Sequence, residues 1–302
     1  MPRRSSLLIL LSACAAPALA QSPPATPPPA PATTAADVPP PAQAGDLLPW
    51  HRDDVWTVRF EPAVYYVAMS GTATLPRSEA APGSNPSIRL AEIDLDEPRL
   101  SPLGEVNLRN GDWRISVRGF GFSSSQDALT NSAGALGDIS FASGDPVNRS
   151  LDFNAFELEG AYTLLQNKFR PLSDGSYAIR TRFDVIGGLR VYDVDLRLTS
   201  QDSGGSLTSQ HEEAFLQGLV GVKGSLEIYD QFTVDLQLGA GGSPDGYSFD
   251  ILVGGSWKPI DNFGVQIGYR ALFFDVESGS GNGKFALEGA AQGLYAGIVL
   301  EF

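Results

Sequence analysis

From residue 55 to the final Phe302, apolar and polar residues alternate with a period of two in a series of short segments. Such alternation is typical of β-strands, because successive side chains point to opposite faces of a sheet. Stretches rich in Gly, Asn, Asp, Ser and Pro separate the segments, and these residues are typical of turns. The sequence therefore predicts an all-β chain of ten antiparallel strands, which lie within residues 55–70, 100–109, 111–122, 156–164, 182–193, 214–228, 232–240, 247–258, 263–273 and 293–302.

Strands with one apolar face fit either a soluble sandwich or a membrane-spanning barrel. Aromatic residues stand at the ends of the apolar faces, as they do in the aromatic girdles of membrane barrels. This pattern favours a transmembrane barrel whose apolar face is turned toward lipid. The aromatic residues are Trp56, Trp113, Phe156, Phe183, Phe232, Tyr247, Trp257, Phe263 and Phe302.

The connections between the predicted strands alternate in length, which also favours a barrel with short periplasmic turns and long extracellular loops. Short turns are predicted at 110–111, 229–231 and 259–262, and long loops at 72–98, 124–150, 199–212 and 276–284. Two connections break the pattern, because 165–176 is long and 241–246 is short. We expect an up-and-down barrel of ten strands with both ends on the periplasmic side, or of eight strands if the first hairpin lies outside the lipid.

Whole charges occupy the polar face of the predicted strands, which a barrel would turn inward. A barrel of this size is just wide enough for side chains to fill it. Buried charges are tolerated only when each has a partner, so we expect a paired network that closes the lumen. A narrow pore lined by the same residues is the alternative. The residues are Arg114, Arg118, Glu157, Glu159, Arg182, Asp184, Arg190, Lys223, Asp235 and Arg270.

The chain ends in "GLYAGIVLEF", whose alternate apolar residues lead to a terminal aromatic. This decamer resembles the C-terminal signal of outer-membrane β-barrel proteins, and the chain from about Trp56 onward is similar to small OmpA-type barrels. The resemblance implies recognition by the barrel assembly machinery and a place in outer-membrane lipid. The residues that carry it are Leu294, Ala296, Ile298, Leu300 and Phe302.

The segment before the barrel divides into two parts. Residues 1–20 have a positive start, an apolar stretch and a small-residue site at Ala20, so they predict a signal peptide and export. Lipidation of Cys14, which stands in a lipobox-like context, is the alternative to cleavage after Ala20. Residues 21–54 are rich in proline and alanine and predict a disordered periplasmic linker. The barrel is then expected to span residues 55–302.

The sequence provides few candidates for chemistry, and we predict no catalytic residue, no metal site and no cofactor. The net charge of −14 disfavours nucleic acid as a partner. His51 lies in the linker, whereas His211 lies near Ser206, Ser209, Glu212 and Glu213. We expect a non-enzymatic surface protein that binds an extracellular ligand through loops 72–98 and 124–150. A small solute pore is the alternative, and a lipid or peptide hydrolase that uses His211 is a third hypothesis.

Overall fold

The computed structural model describes residues 56–78, 85–173, 177–202 and 205–302. The predicted signal peptide, its Ala20 and Cys14, the linker with His51 and the first barrel residue lie outside the described residues. Two 3₁₀ turns, Leu90–Ile93 and Gly281–Gly283, accompany strands β1 Thr57–Thr74, β2 Ser87–Arg89, β3 Arg99–Asn110, β4 Trp113–Leu129, β5 Gly134–Leu136, β6 Ile139–Phe141, β7 Pro146–Pro171, β8 Tyr177–Asp202, β9 Gly205–Ile228, β10 Phe232–Ser243, β11 Gly246–Ile260, β12 Phe263–Ser278 and β13 Phe285–Glu301.

Ten of these strands form a closed antiparallel ring in which each pairs with its neighbours in the chain. The order is β1, β3, β4, β7, β8, β9, β10, β11, β12 and β13, and β13 pairs with β1 to close the ring. The short β2 pairs with β1 inside the first long connection, and β5 pairs with β6 in a separate hairpin. The predicted ten-stranded up-and-down barrel is confirmed, and the eight-stranded alternative is wrong.

The C-terminal strand closes the barrel. Tyr65 of β1 lies opposite Tyr295 of β13, and the backbone of Phe302 exchanges two hydrogen bonds with Val58, with N···O distances of 2.8 and 2.9 Å. The apolar pattern thus continues to the final residue because that residue still takes part in the sheet.

All four connections that the sequence predicted as long loops contain strand, and 276–284 begins within β12, which runs to Ser278. Most of the predicted loop 199–212 is strand, since β8 runs to Asp202, β9 starts at Gly205 and these two residues lie opposite each other in the sheet. The predicted loop 124–150 begins and ends within β4 and β7 and carries the β5–β6 hairpin between them. The predicted loop 72–98 likewise starts in β1 and contains β2 and the first 3₁₀ turn.

Strands β7, β8 and β9 are much longer than a membrane requires. They have 26, 26 and 24 residues, whereas roughly 9–11 residues cross the hydrocarbon layer. Toward Asp202 of β8 and Gly205 of β9, the outward side chains are polar, as at Asp193, Asp195 and Glu212. The extensions lie beyond the apolar band, and the sequence did not predict them because their apolar residues point inward, as Val194 and Leu196 do, rather than outward.

The outer surface between the extensions and the turns is apolar. Val220 and Ile267 point outward, and about two thirds of each side chain is exposed. Near the short turns, aromatic pairs lie on this surface with ring centroids 4.9 to 6.5 Å apart: Phe60–Phe302, Trp113–Tyr162 and Phe232–Trp257. The exterior therefore matches a lipid-facing band bordered by aromatic residues. Among the helical turns of the described residues, none is long and apolar enough to cross a membrane.

Candidate functional site: the barrel interior

The middle of the barrel contains a buried group of ionised side chains centred on Glu157. Its carboxylate forms ion pairs with Arg118 at 3.2 Å, with Arg190 at 3.0 Å and with Arg270. Asp250 lies beside it, with one oxygen 2.9 Å from nitrogens of both Arg190 and Arg270. These five side chains are at most 3% exposed. They come from β4, β7, β8, β11 and β12, so the group spans the lumen from wall to wall.

Further polar contacts extend this group of ionised side chains around Arg118. Its guanidinium lies 2.7 Å from Glu105 and 3.7 Å from Glu159. The amide of Gln237 donates to Glu159 at 2.9 Å and accepts from Arg118 at 3.3 Å. The hydroxyl of Ser116 also donates to Glu159, at 3.4 Å. We call the following side chains the charged layer: Glu105, Ser116, Arg118, Glu157, Glu159, Arg190, Gln237, Asp250 and Arg270.

An apolar core fills the lumen on the loop side of the charged layer. The rings of Phe153, Tyr192 and Phe274 lie with centroids 4.8 to 6.0 Å apart and are buried. Phe120 packs against Phe153 at 6.0 Å and lies 4.9 Å beneath the guanidinium of Arg270. This contact is a cation–π pair and joins the core to the charged layer.

Residues of the first long connection cover the loop end of this core. Ile88, Leu90, Ile93 and Leu95 are at most 3% exposed, and they pack into the same apolar core as the barrel wall. Arg149 of β7, which is fully buried, lies 3.3 Å from the Asp94 carboxylate of this segment. We call residues 85–95 the cap.

A polar cavity of about 530 Å³ lies on the opposite side of the charged layer, among the short turns. The turns 229–231 and 259–262 and the last residue, Phe302, line its mouth. Ion pairs line its wall: Arg59–Glu61 at 2.7 Å, Lys223–Asp235 at 3.7 Å, Arg180–Glu227 at 3.4 Å and Lys258–Glu301 at 3.1 Å. We call this space the turn-side cavity.

The ten charges that the sequence assigned to the lumen fall into two groups. Arg114, Arg118, Glu157, Glu159, Asp184, Arg190 and Arg270 are buried in the interior, whereas Arg182, Lys223 and Asp235 are partly exposed to the turn-side cavity. Sequence reasoning missed Glu105 and Asp250, although their place on the polar face of a strand could have revealed them. The sequence also did not predict the apolar core on the loop side of the charged layer.

The C-terminal residues singled out in the sequence lie on the outer face of β13. Leu294, Ile298 and Phe302 are 39 to 60% exposed, while the alternate residues Tyr295 and Val299 are buried inside. Ala296 and Leu300 share the outward face.

His211 lies within β9 at the loop-side rim rather than in a loop. Its Nε2 is 2.7 Å from Glu213, and the Ser278 hydroxyl donates to the same carboxylate oxygen. Its ring stacks on Phe285 with centroids 4.5 Å apart. Among the described residues, no serine hydroxyl is hydrogen-bonded to His211, which a nucleophile and its base would require.

At the same rim, Lys284 lies just before β13 and donates a hydrogen bond to Glu277 of β12 at 2.5 Å. This hydrogen bond to the carboxylate raises the pKa of Lys284 above its ordinary value. In the part of the chain that the structure describes, no group of three His, Cys, Asp or Glu side chains is placed to hold a metal ion.

No family model and no curated protein matches this chain. Among solved structures, it is similar to the outer membrane protease OmpT from Escherichia coli, with 10% identity, 82% of this chain and 97% of that chain covered, and a TM-score of 0.46. Neisserial surface protein A has 12% identity, coverage of 82% and 97%, and a TM-score of 0.31. The attachment invasion locus protein of Yersinia pestis, solved with the heparin analogue sucrose octasulfate, has 9% identity, coverage of 80% and 99%, and a TM-score of 0.33. These structural neighbours are outer-membrane β-barrel proteins.

Proposed function

We propose that the chain is a non-enzymatic outer-membrane barrel with a sealed lumen, which acts in the cell envelope through the surface at its loop end. The observation that carries this proposal is the charged layer, because its members cross the whole lumen and all except Glu105 are at most 3% exposed. A solute that passes through would have to separate ion pairs in a region of low dielectric, which costs several kcal/mol per uncompensated charge.

The apolar core is a second barrier in series with the first. Phe153, Tyr192 and Phe274 are at most 3% exposed, and the cap packs into the same apolar core. This arrangement favours the sealed barrel over the small solute pore, since both barriers would have to move together for conduction.

The loop end supports a surface role because parts of it are anchored rather than free. The cap is held by buried apolar side chains and by the Arg149–Asp94 ion pair, and the β5–β6 hairpin buries Leu136, Ile139 and Phe141. A preformed surface binds a partner at a lower ordering cost. We propose that an extracellular ligand binds here, that lipid surrounds the apolar band and that the barrel assembly machinery reads the outer face of β13.

Export by a cleaved signal peptide belongs to the same proposal, as does the absence of catalysis. The bonding around His211 favours a structural role, because its imidazole and the Ser278 hydroxyl share the carboxylate of Glu213 as a common partner.

Liposome swelling tests the sealed lumen. The folded protein is reconstituted into vesicles and diluted into isotonic arabinose, with empty vesicles and vesicles that hold an open porin as the two references. We expect the swelling rate of empty vesicles. Swelling that scales with the amount of folded protein would contradict the proposal and favour the pore.

A further inference from the structure

Strand β9 has a long edge that no other strand covers. It pairs with β8 along its whole length, from Ile228 to Gly205, whereas β10 pairs with it only as far as Gly218. In the part of the chain that the structure describes, no backbone hydrogen bond joins residues 206–216 to a partner on the β10 side. We call residues 206–216 the free edge.

The free edge is suited to pair with a further strand. An uncovered strand presents a row of backbone N–H and C=O groups, which natural proteins often block with proline, lysine or a β-bulge. The free edge contains neither proline nor lysine, and its register with β8 is unbroken. On the inner side, His211 stacks on Phe285. Glu213 accepts a hydrogen bond from Ser278, so the edge is held in place and needs little further ordering when a strand is added.

The outer face beside the free edge is acidic. Glu212 lies opposite Asp195 of β8, and Asp195 lies opposite Asp152 of β7, so three carboxylates stand in one row across three strands. Gln210 donates to Asp195 at 3.1 Å, and Arg197 lies 4.0 Å from the same carboxylate. Like charges that lie directly opposite each other destabilise a sheet. A basic side chain on a strand added beside Glu212 would relieve this repulsion.

We propose that the free edge binds an extended, basic polypeptide segment of an extracellular partner, which adds a strand beside β9. The inference rests on the proposed role of the loop-end surface and names the class of partner for it. In this mode of recognition, backbone hydrogen bonds supply affinity and alternate side chains supply specificity. One set of alternate side chains would lie beside Glu212 on the acidic outer face, where lysine or arginine would form cross-strand ion pairs.

A free segment fits this place better than a second copy of the chain does. The position beside the free edge lies in line with β10, beyond the turn between Ser243 and Gly246. A strand of a second barrel in the same membrane would continue into the space that β10 already occupies. A chain with a net charge of −14 also repels its own copies.

A synthetic peptide tests the pairing on the unaltered, folded full-length barrel in octyl glucoside. The probe is a peptide of alternating lysine and threonine, as long as the free edge and blocked at both ends, and isothermal titration measures its affinity. The control peptide has the same sequence with every backbone amide N-methylated, so it keeps the charges but donates no backbone hydrogen bond. We expect the control to bind about tenfold more weakly, or not at all. Equal affinities would show that charge alone attracts the peptide and would overturn the proposal.

A pair of charge reversals tests the location of the site. Glu212→Lys places a cation beside the free edge, and we expect it to weaken binding of the probe about tenfold, because an attractive cross-strand pair becomes repulsive. Asp127→Lys is the matched control. It makes the same change of charge on the exposed outer face of β4, three strands away from β9, and we expect unchanged affinity. An equal loss in both variants, or a larger loss in Asp127→Lys, would contradict the free edge as the site.

Gel mobility of the unheated protein verifies that both variants fold, and Glu212→Gln, with a smaller expected loss, replaces Glu212→Lys if that variant does not fold. Absence of peptide binding to the unaltered barrel would overturn the proposal. If the barrel then sediments as a dimer, the free edge belongs to a second copy. The liposome swelling assay reads the lumen rather than the free edge, so a sealed barrel that does not bind the peptide would contradict this inference alone.

Discussion

At the scale of single residues, the Glu157 carboxylate lies among the guanidinium groups of Arg118, Arg190 and Arg270. Each of these arginines has at least one further carboxylate or polar partner, so the charged layer is a network rather than a set of isolated pairs. Removing one member of a buried network leaves the others without full compensation. The contribution of Glu157 is therefore larger than that of a single surface ion pair.

Replacing Glu157 with Gln keeps the side-chain volume and removes the charge. We expect the free energy of unfolding to fall by about 3–5 kcal/mol, the usual cost of breaking a buried ion pair. Urea titration of the barrel in lipid vesicles, followed by tryptophan fluorescence, measures this change. Glu288→Gln is the control, because Glu288 points outward and is exposed. Equal stability of the two variants would show that the charged layer does not hold the barrel together.

A pair of substitutions in β9 tests which face of the strand meets lipid. Val220 points outward with 66% of its surface exposed, and Val220→Arg should cost about 2–4 kcal/mol at the bilayer midplane. Lys223 points inward beside Asp235, and Lys223→Ala should cost less. The same vesicle titration measures both. A smaller loss for Val220→Arg than for Lys223→Ala would reverse the assignment of inside and outside.

At the scale of elements, the barrel depends on the seam between the first and the last strand. Gly293 of β13 lies opposite Val67 of β1, and a Cβ at this glycine would meet the backbone carbonyl of Tyr66. Backbone cannot move aside as a flexible side chain can. The absence of a side chain at this position therefore permits the strands to approach and the barrel to close.

Gly293→Ala should loosen this seam. Overpacking of this kind typically costs about 1–3 kcal/mol, so we expect a lower urea midpoint and less of the heat-modifiable folded band in gels. Ala296→Val on the same strand is the control, because residue 296 points outward and is exposed. If Gly293→Ala folds as fully as Ala296→Val, the close approach of β1 and β13 is not required for closure.

The sequence predicted the central part of each barrel strand but not its length. Within the apolar band the period of two is clear, as in 232–240 and 263–273. Beyond the band the alternation is inverted, because Val194 and Leu196 point inward into the apolar core whereas Asp193 and Asp195 point outward, so the apolar-out pattern on which the prediction depends ends there. The pairing of these extensions is set by the neighbouring strands, which a local pattern does not reveal.

At the scale of the whole molecule, the interior divides along the barrel axis into the apolar core, the charged layer and the turn-side cavity. The sequence identified inward charges such as Arg190 and Arg270 because they alternate with apolar residues. The sequence did not show where along the barrel axis each charge lies, because the partners of Glu157 come from strands that are distant in the chain. The cap was not predicted either, because 85–95 is a short segment whose apolar residues do not alternate along its length as those of a barrel strand do.

Conductance across a planar lipid bilayer distinguishes a sealed lumen from an open one. The folded barrel would be inserted at neutral pH and moderate salt, and its insertion verified by gel mobility and protease resistance. We predict a bilayer current no different from that of the lipid alone, because the charged layer and the apolar core both block the lumen. Discrete, stable openings that occur with the inserted protein would contradict the sealed lumen.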